Sequence, residues 1–148
     1  MHVLLIHQAF MTGEEAGGTR HYELAQRLTR VGHRFTAIAS NVSYLSGERP
    51  PETETQEQEQ RNGISVRRSY TYSALHRSFL HRAISYLTFM ISSILSGVRV
   101  KEVDLVWGTS PPIFQGVSAW LLARLKGVPF VFEVRDLWPA FAVDMGVL

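Results

Sequence analysis

The residues best placed to do chemistry lie in Phe130-Val-Phe-Glu-Val-Arg-Asp-Leu-Trp-Pro139, where Arg135, Asp136 and Trp138 follow a short apolar run. That run is rich in aromatic and β-branched residues and is preceded by Gly127 and Pro129, so it reads as a buried strand. Arg135, Asp136 and Trp138 then fall just past its carboxyl end. In open α/β sheets this is the edge where ligands bind. A neighbouring guanidinium and carboxylate read either as a surface ion pair, which is worth little, or as cleft groups that engage a ligand. Position at a strand end favours the second. Glu133, inside the run, reads as a buried and paired carboxylate.

Two other segments point at the same edge. The loop His7-Gln-Ala-Phe-Met-Thr-Gly-Glu-Glu-Ala-Gly-Gly18 precedes a helix start. Gly17 and Gly18 can expose backbone N–H groups where the helix dipole favours an anion; the plainer reading is a glycine turn into a helix. Gly-x-Gly-x-x-Gly and Gly-Lys-Ser/Thr are both absent, which removes the dinucleotide and P-loop fingerprints. In Trp107-Gly-Thr-Ser-Pro-Pro112, Ser110 and Pro111 fit the N-cap and first position of a helix. Thr109 and Ser110 would also stand on the ligand edge. No cysteine, no Asp-x-Asp and no histidine pair at metal spacing is present, so no metal site is read.

The span 60–101 has a different character. It holds Arg61, Arg67, Arg68, Arg77, Arg82, Arg99 and Lys101, with His76 and His81, and no Asp or Glu. Its apolar part, Ala83 to Val98, is short and serine-rich for a bilayer span. Two readings stand: a core helix with a basic solvated end, and a helix lying on an anionic membrane surface. Nucleic acid is disfavoured, because the aromatics follow helical rather than stacking-platform spacing.

These segments need elements to hold them. A chain of 148 residues can bury one sizeable core. Val3-Leu-Leu-Ile6 is a continuous apolar run, as in a strand covered on both faces. Thr19 can cap a helix with Leu24, Ala25, Leu28 and Val31 on one side, stopped by Gly32. Strands are expected at Phe35–Ala39, Ile64–Val66, Asp104–Trp107 and Phe130–Val134, with helices over 74–100 and 113–126. Segment 46–63, acidic and low in complexity, is expected to be a mobile loop. The alternation predicts an α/β fold, a doubly wound parallel sheet of five strands.

Taken together, His7-Gln-Ala-Phe, Ala16-Gly-Gly-Thr-Arg-His-Tyr-Glu-Leu-Ala-Gln-Arg-Leu28, Gly32-His33, Gly108-Thr-Ser-Pro-Pro112 and Glu133-Val-Arg-Asp-Leu-Trp-Pro139 resemble the N-terminal domain of bacterial family 4 glycosyltransferases. The likeness is to the subgroup that builds O-antigen and capsule polysaccharides. It implies one Rossmann-like, acceptor-side half of a GT-B enzyme. Such enzymes transfer sugar with retention from a nucleotide-sugar, here to a lipid-linked saccharide acceptor, without a required metal or cofactor. It places Gly17 and Gly18 at the donor diphosphate, Arg135 and Asp136 in the catalytic cleft, and His7, Gln8, Thr109, Ser110 and Trp138 along the cleft and acceptor wall.

The family's C-terminal donor-binding domain is missing from 1–148, so the resemblance implies a truncated enzyme, inactive alone. The expected location is the cytoplasm, peripheral to the inner face of the plasma membrane. A non-catalytic nucleotide- or sugar-binding or membrane-docking module is the alternative.

Overall fold

In the computed structural model, residues 1–12, 18–43, 47, 59–61, 63–73 and 78–135 are described. Strand β1 (His2–Ile6) is buried at every position. That explains its unbroken apolar sequence: it sits inside the sheet, with a layer on each face. The other elements are α1 (Arg20–Arg30), β2 (Arg34–Ser40), β3 (Glu59–Arg61), β4 (Ile64–Ser69), α2 (Phe79–Val98), β5 (Leu105–Ser110), α3 (Phe114–Lys126) and β6 (Phe130–Val134). The sheet order is β3-β4-β2-β1-β5-β6. The five strands β4, β2, β1, β5 and β6 are parallel, as the sequence predicts.

Side chains of β1 alternate between two cores. Val3 and Leu5 join Tyr22 and Ala25 of α1, with Phe35 and Val66. Leu4 and Ile6 join Phe89 of α2 and Ala119 and Leu122 of α3. The sheet therefore carries α1 on one face and the α2–α3 pair on the other. Glycine sets how closely α3 approaches. A Cβ on Gly108 would stand 2.7 Å from Ala119 Cβ and 3.3 Å from the Gln115 carbonyl. Gly127 ends α3 in the left-handed conformation, with Val128 N–H bonded back to Ala123 O at 3.1 Å, the glycine C-cap its position predicts.

Three expectations are corrected. Segment 46–63 is not all loop: Glu59–Arg61 pairs antiparallel with β4, Gln60 opposite Ser65. An edge strand needs only backbone ladder bonds, so a polar sequence can supply it. Residues 44–46, 48–58 and 62 lie outside the described set. Ser110 is not a helix cap: β5 runs through it because it pairs with Val134, and α3 begins at Phe114 with Ile113 in the cap position. Leu24 and Val31 do not face the core; α1 buries His21, Tyr22 and Ala25 instead.

The glycine geometry yields a stability contrast. Gly108→Ala must push α3 off the sheet and should cost about 1–3 kcal/mol in chemical denaturation. Gly18→Ala, where a Cβ meets nothing within 4 Å, should stay within about 0.5 kcal/mol of the parent.

Candidate functional site

Parallel pairing brings the ends of β1, β5 and β6 to one edge. Ile6 lies opposite Gly108, Thr109 opposite Glu133, and Ser110 opposite Val134. The chain leaving β1 is fixed against β2 by His7 N–H to Ile38 O and Ser40 N–H to Gln8 O, 3.0 and 2.9 Å. Gln115 of α3 is itself buried and clamps two loops. Its Oε1 accepts Gln8 N–H at 2.7 Å, and its Nε2 donates to Pro111 O at 2.8 Å. Its position in the first turn of α3 thus ties the β1 and β5 exits together.

The first turn of α1 meets the end of β6 at this edge. His21 Nε2 lies 2.8 Å from Glu133 Oε2, and Arg20 bonds the other oxygen of the same carboxylate. The His21 ring stands 4.5 Å from the His7 ring and 5.3 Å from Trp107, centroid to centroid. Arg135 turns back to donate its Nε–H to Ser110 O at 2.7 Å. A carboxylate, two imidazoles and two guanidinium groups therefore share one strand edge.

The electrostatics follow from burial and pairing. Burial pushes the His7 imidazole down to about 3, helped by His21 and Arg135, so the ring is neutral. Burial also lowers His21, although Glu133 opposes it. Burial alone would raise the Glu133 carboxyl, but the His21 hydrogen bond and the Arg20 charge outweigh it, and its pKa is lowered. At neutral pH Glu133 is ionised and His21 neutral. The carboxylate then fixes the His21 proton on Nε2.

His7 is 3% exposed, yet neither of its ring nitrogens has a hydrogen-bond partner among the described residues. An unpaired buried polar group costs free energy. A neutral imidazole offers one donor and one acceptor, which suits a hydroxyl-rich ligand. Ser110 Oγ and the Gln8 side-chain oxygen are buried and unpartnered as well. Thr109 differs: it is fully buried, and its hydroxyl turns to Ser110 O at 3.4 Å. Gly18 is exposed beside the α1 N-terminus, and a Cβ there would enter open space. Gly17, Asp136 and Trp138 lie outside the described residues.

Arg20 and His21 are the site residues that sequence reasoning missed. A signal existed. Helix first turns prefer acids, because the dipole is positive there. Two basic residues in succession at that place imply an anionic group opposite, which Glu133 supplies.

No group of His, Cys, Asp or Glu among the described residues is arranged to hold a metal ion. Residues 16–146 match the family model of the glycosyl transferase 4-like domain. No curated protein matches the chain. Among solved structures, two of the C-terminal domain of the PF1911 hydrogenase from Pyrococcus furiosus are similar. Each has a TM-score of 0.55 at 15% identity, covering 88% of this chain and 89% of that one. At that identity the likeness is one of fold.

The His7 environment predicts an acid-sensitive fold. The unfolded chain binds a proton near the ordinary 6.5, whereas the folded chain does so only at about 3. Stability should therefore be complete above 6.5 and fall by about 1.4 kcal/mol per unit as pH drops toward 3. Urea unfolding from pH 7 to 4 should show at least this slope, because His2, His21 and Glu133 are lowered as well, and His7→Phe should make it shallower by the His7 contribution.

Proposed function

Because the chain belongs to the glycosyl transferase 4-like domain family, we propose that its strand edge is the acceptor-side wall of a sugar-transfer cleft. The donor is a nucleotide-sugar and the acceptor a lipid-linked saccharide of the O-antigen or capsule type, in the cytoplasm. The anomeric C–O bond breaks with its electron pair going to the diphosphate, the acceptor hydroxyl oxygen bonds the anomeric carbon on the same face, and its proton passes to the departing diphosphate. The observation that carries this reading is the combination of the family match with an exposed Gly18 at the start of α1 and a buried imidazole that has no hydrogen-bond partner among the described residues.

Each residue has a place in the reading. The N–H groups around Gly17 and Gly18 approach the donor diphosphate, helped by the α1 dipole. His7, with Gln8 and Ser110, offers buried polar atoms to sugar hydroxyls. Arg135, which follows β6, is assigned to the cleft, and Asp136 and Trp138 join it by the family resemblance alone. Charge builds on the departing diphosphate, and it is stabilised only by donors already aimed at it. A facing domain that supplies the remaining cationic groups is part of the proposal, and no metal takes part.

The test is nucleotide-sugar binding followed by transfer. The chain alone should bind nucleotide-sugars weakly and show no transfer of radiolabelled sugar to a lipid-linked acceptor. Fused to the donor domain of a family member, it should turn over. In the fusion, Gly18→Val should weaken donor binding about tenfold without loss of stability, by covering the helix N-terminus. Asp136→Ala should lower the rate by about a hundredfold or more at unchanged stability. Unchanged donor binding in the Gly18 variant would remove the diphosphate assignment. Robust transfer by the chain alone would remove the facing domain.

A further inference from the structure

The chain leaving β4 does not turn away at the sheet edge; it climbs α2 one helical turn at a time. Ser69, the last residue of β4, donates its hydroxyl to Ser96 Oγ at 2.7 Å. One turn earlier in the helix, Ser92 Oγ donates to Tyr70 O at 2.6 Å. One turn earlier again, Thr88 Oγ1 accepts the Tyr72 N–H at 3.0 Å. Spacing of four keeps these three hydroxyls on one flank. The other flank lies against α3, where Ser118 Oγ reaches Met90 O at 3.2 Å and Phe114, the first residue of α3, meets Tyr86. Helix α2 thus passes the carboxyl end of β4 at Ser96 and the start of α3, just past the end of β5, at Tyr86. Its first turns, from Phe79, overhang the carboxyl edge of the sheet by about 10 Å at 1.5 Å per residue.

Each flank of the overhang carries a pair of rings. Tyr72 and His81 lie 6.2 Å apart, centroid to centroid, and within 22° of parallel. Tyr86 and Phe114 lie 6.2 Å apart and within 29°. Aromatic rings that serve the core of this fold, such as Phe10, Phe35 and Phe89, are closed off completely, whereas these four are only half-buried. They are nonetheless held. The Thr88 bond fixes the Tyr72 backbone, Ser78 Oγ stands 2.8 Å from His81 Nδ1, and Arg82 Nη2 reaches the Tyr86 hydroxyl at 3.4 Å. The result is a pair of fixed apolar planes with polar atoms at their rims.

We infer that the overhang of α2 is a saccharide subsite, in which the Tyr72–His81 and Tyr86–Phe114 pairs stack against the C–H faces of pyranose units. A pyranose has the matching anatomy: an apolar face bounded by hydroxyls. Flat, preset aromatic surface with a few polar groups is what a small-ligand site supplies. The face of the sheet selects the ligand. The glycines assigned to the donor diphosphate lead into α1, and α1 and α2 cover opposite faces of the sheet. The rings of α2 therefore take the acceptor rather than the nucleotide. The inference rests on the strand edge being an acceptor wall, and adds the side chains that hold acceptor units beyond the one that reacts.

NMR of the full chain tests it, with chitotriose and maltotriose as saccharide probes and UDP-glucose as the probe of the strand edge. Pyranose protons should give nuclear Overhauser contacts to the rings of Tyr72 and Tyr86, while UDP-glucose should shift His7 and Gly18 instead. Tyr72→Leu and Tyr86→Leu should each weaken saccharide binding about tenfold, whereas Tyr72→Phe and Tyr86→Phe, which keep the ring face, should stay within about twofold of the parent. Should a leucine variant unfold, the contacts in the parent chain decide. Saccharide on the rings without UDP-glucose at the strand edge would support the subsite and remove the donor assignment alone. Three results would overturn the subsite: neither saccharide touching any of the four rings, leucine variants that bind like the parent, or the uracil of UDP-glucose stacking there in place of sugar.

Discussion

One carboxylate fixes the geometry of the strand edge. β6 is the last strand of the sheet, and Phe130, Val131, Phe132 and Val134 all remain exposed. Apolar burial therefore does little to set where its end points. Its pairing with β5 sets the register, and Glu133 ties the end of the strand to the first turn of α1 through His21 and Arg20. The Arg20 contact is exposed and worth little by itself. The His21 contact is different, because that ring is buried and a charge beside it cannot be left to solvent. Without Glu133, the buried His21 ring would lose its hydrogen-bond partner, and Arg20 would be left at the positive end of the helix dipole with Glu23 as the acid of that turn.

From that contact the rest of the edge follows. His21, held by Glu133, packs against His7 and Trp107 and closes the His7 ring away from water. Burial then makes His7 neutral, and its two nitrogens stay unpartnered. This buried polarity destabilises the fold on its own terms.

The sequence shows the parallel strands well and the faces of the helices badly. β1 and β5 are legible because buried parallel strands need continuous apolar runs; β6 has such a run but, as the last strand of the sheet, it is exposed rather than buried as expected. β3 is not legible, since Glu-Gln-Arg has no apolar or alternating pattern, and the strand is recognised only by its antiparallel pairing with β4. The inward face of α1 is also hidden. His21 is buried by a partner 112 residues away, and no local pattern reports that. α2 is legible as a helix, but its apolar stripe reads naturally as core. Close packing against α3 at Gly97, with Ser85, Phe89 and Ser93 buried on the same side, reverses the expected orientation. Ser110 and Pro111 satisfy the rule for a helix start, yet the pairing of Ser110 with Val134 extends the strand instead. Gly18, Arg135 and His7 fall at the strand edge as their positions after β1 and β6 require. Gly17, Asp136 and Trp138 lie outside the described residues.

The central claim is that Glu133 organises the edge through His21. Histidine ring titration by NMR, in the parent chain and in Glu133→Gln, tests it most directly. The parent His21 should titrate below 6.5, because burial outweighs the help it receives from the carboxylate. Removing the charge while keeping an acceptor should move that midpoint lower still. A His21 that titrates at its ordinary value, or that does not respond to Glu133→Gln, would contradict the account.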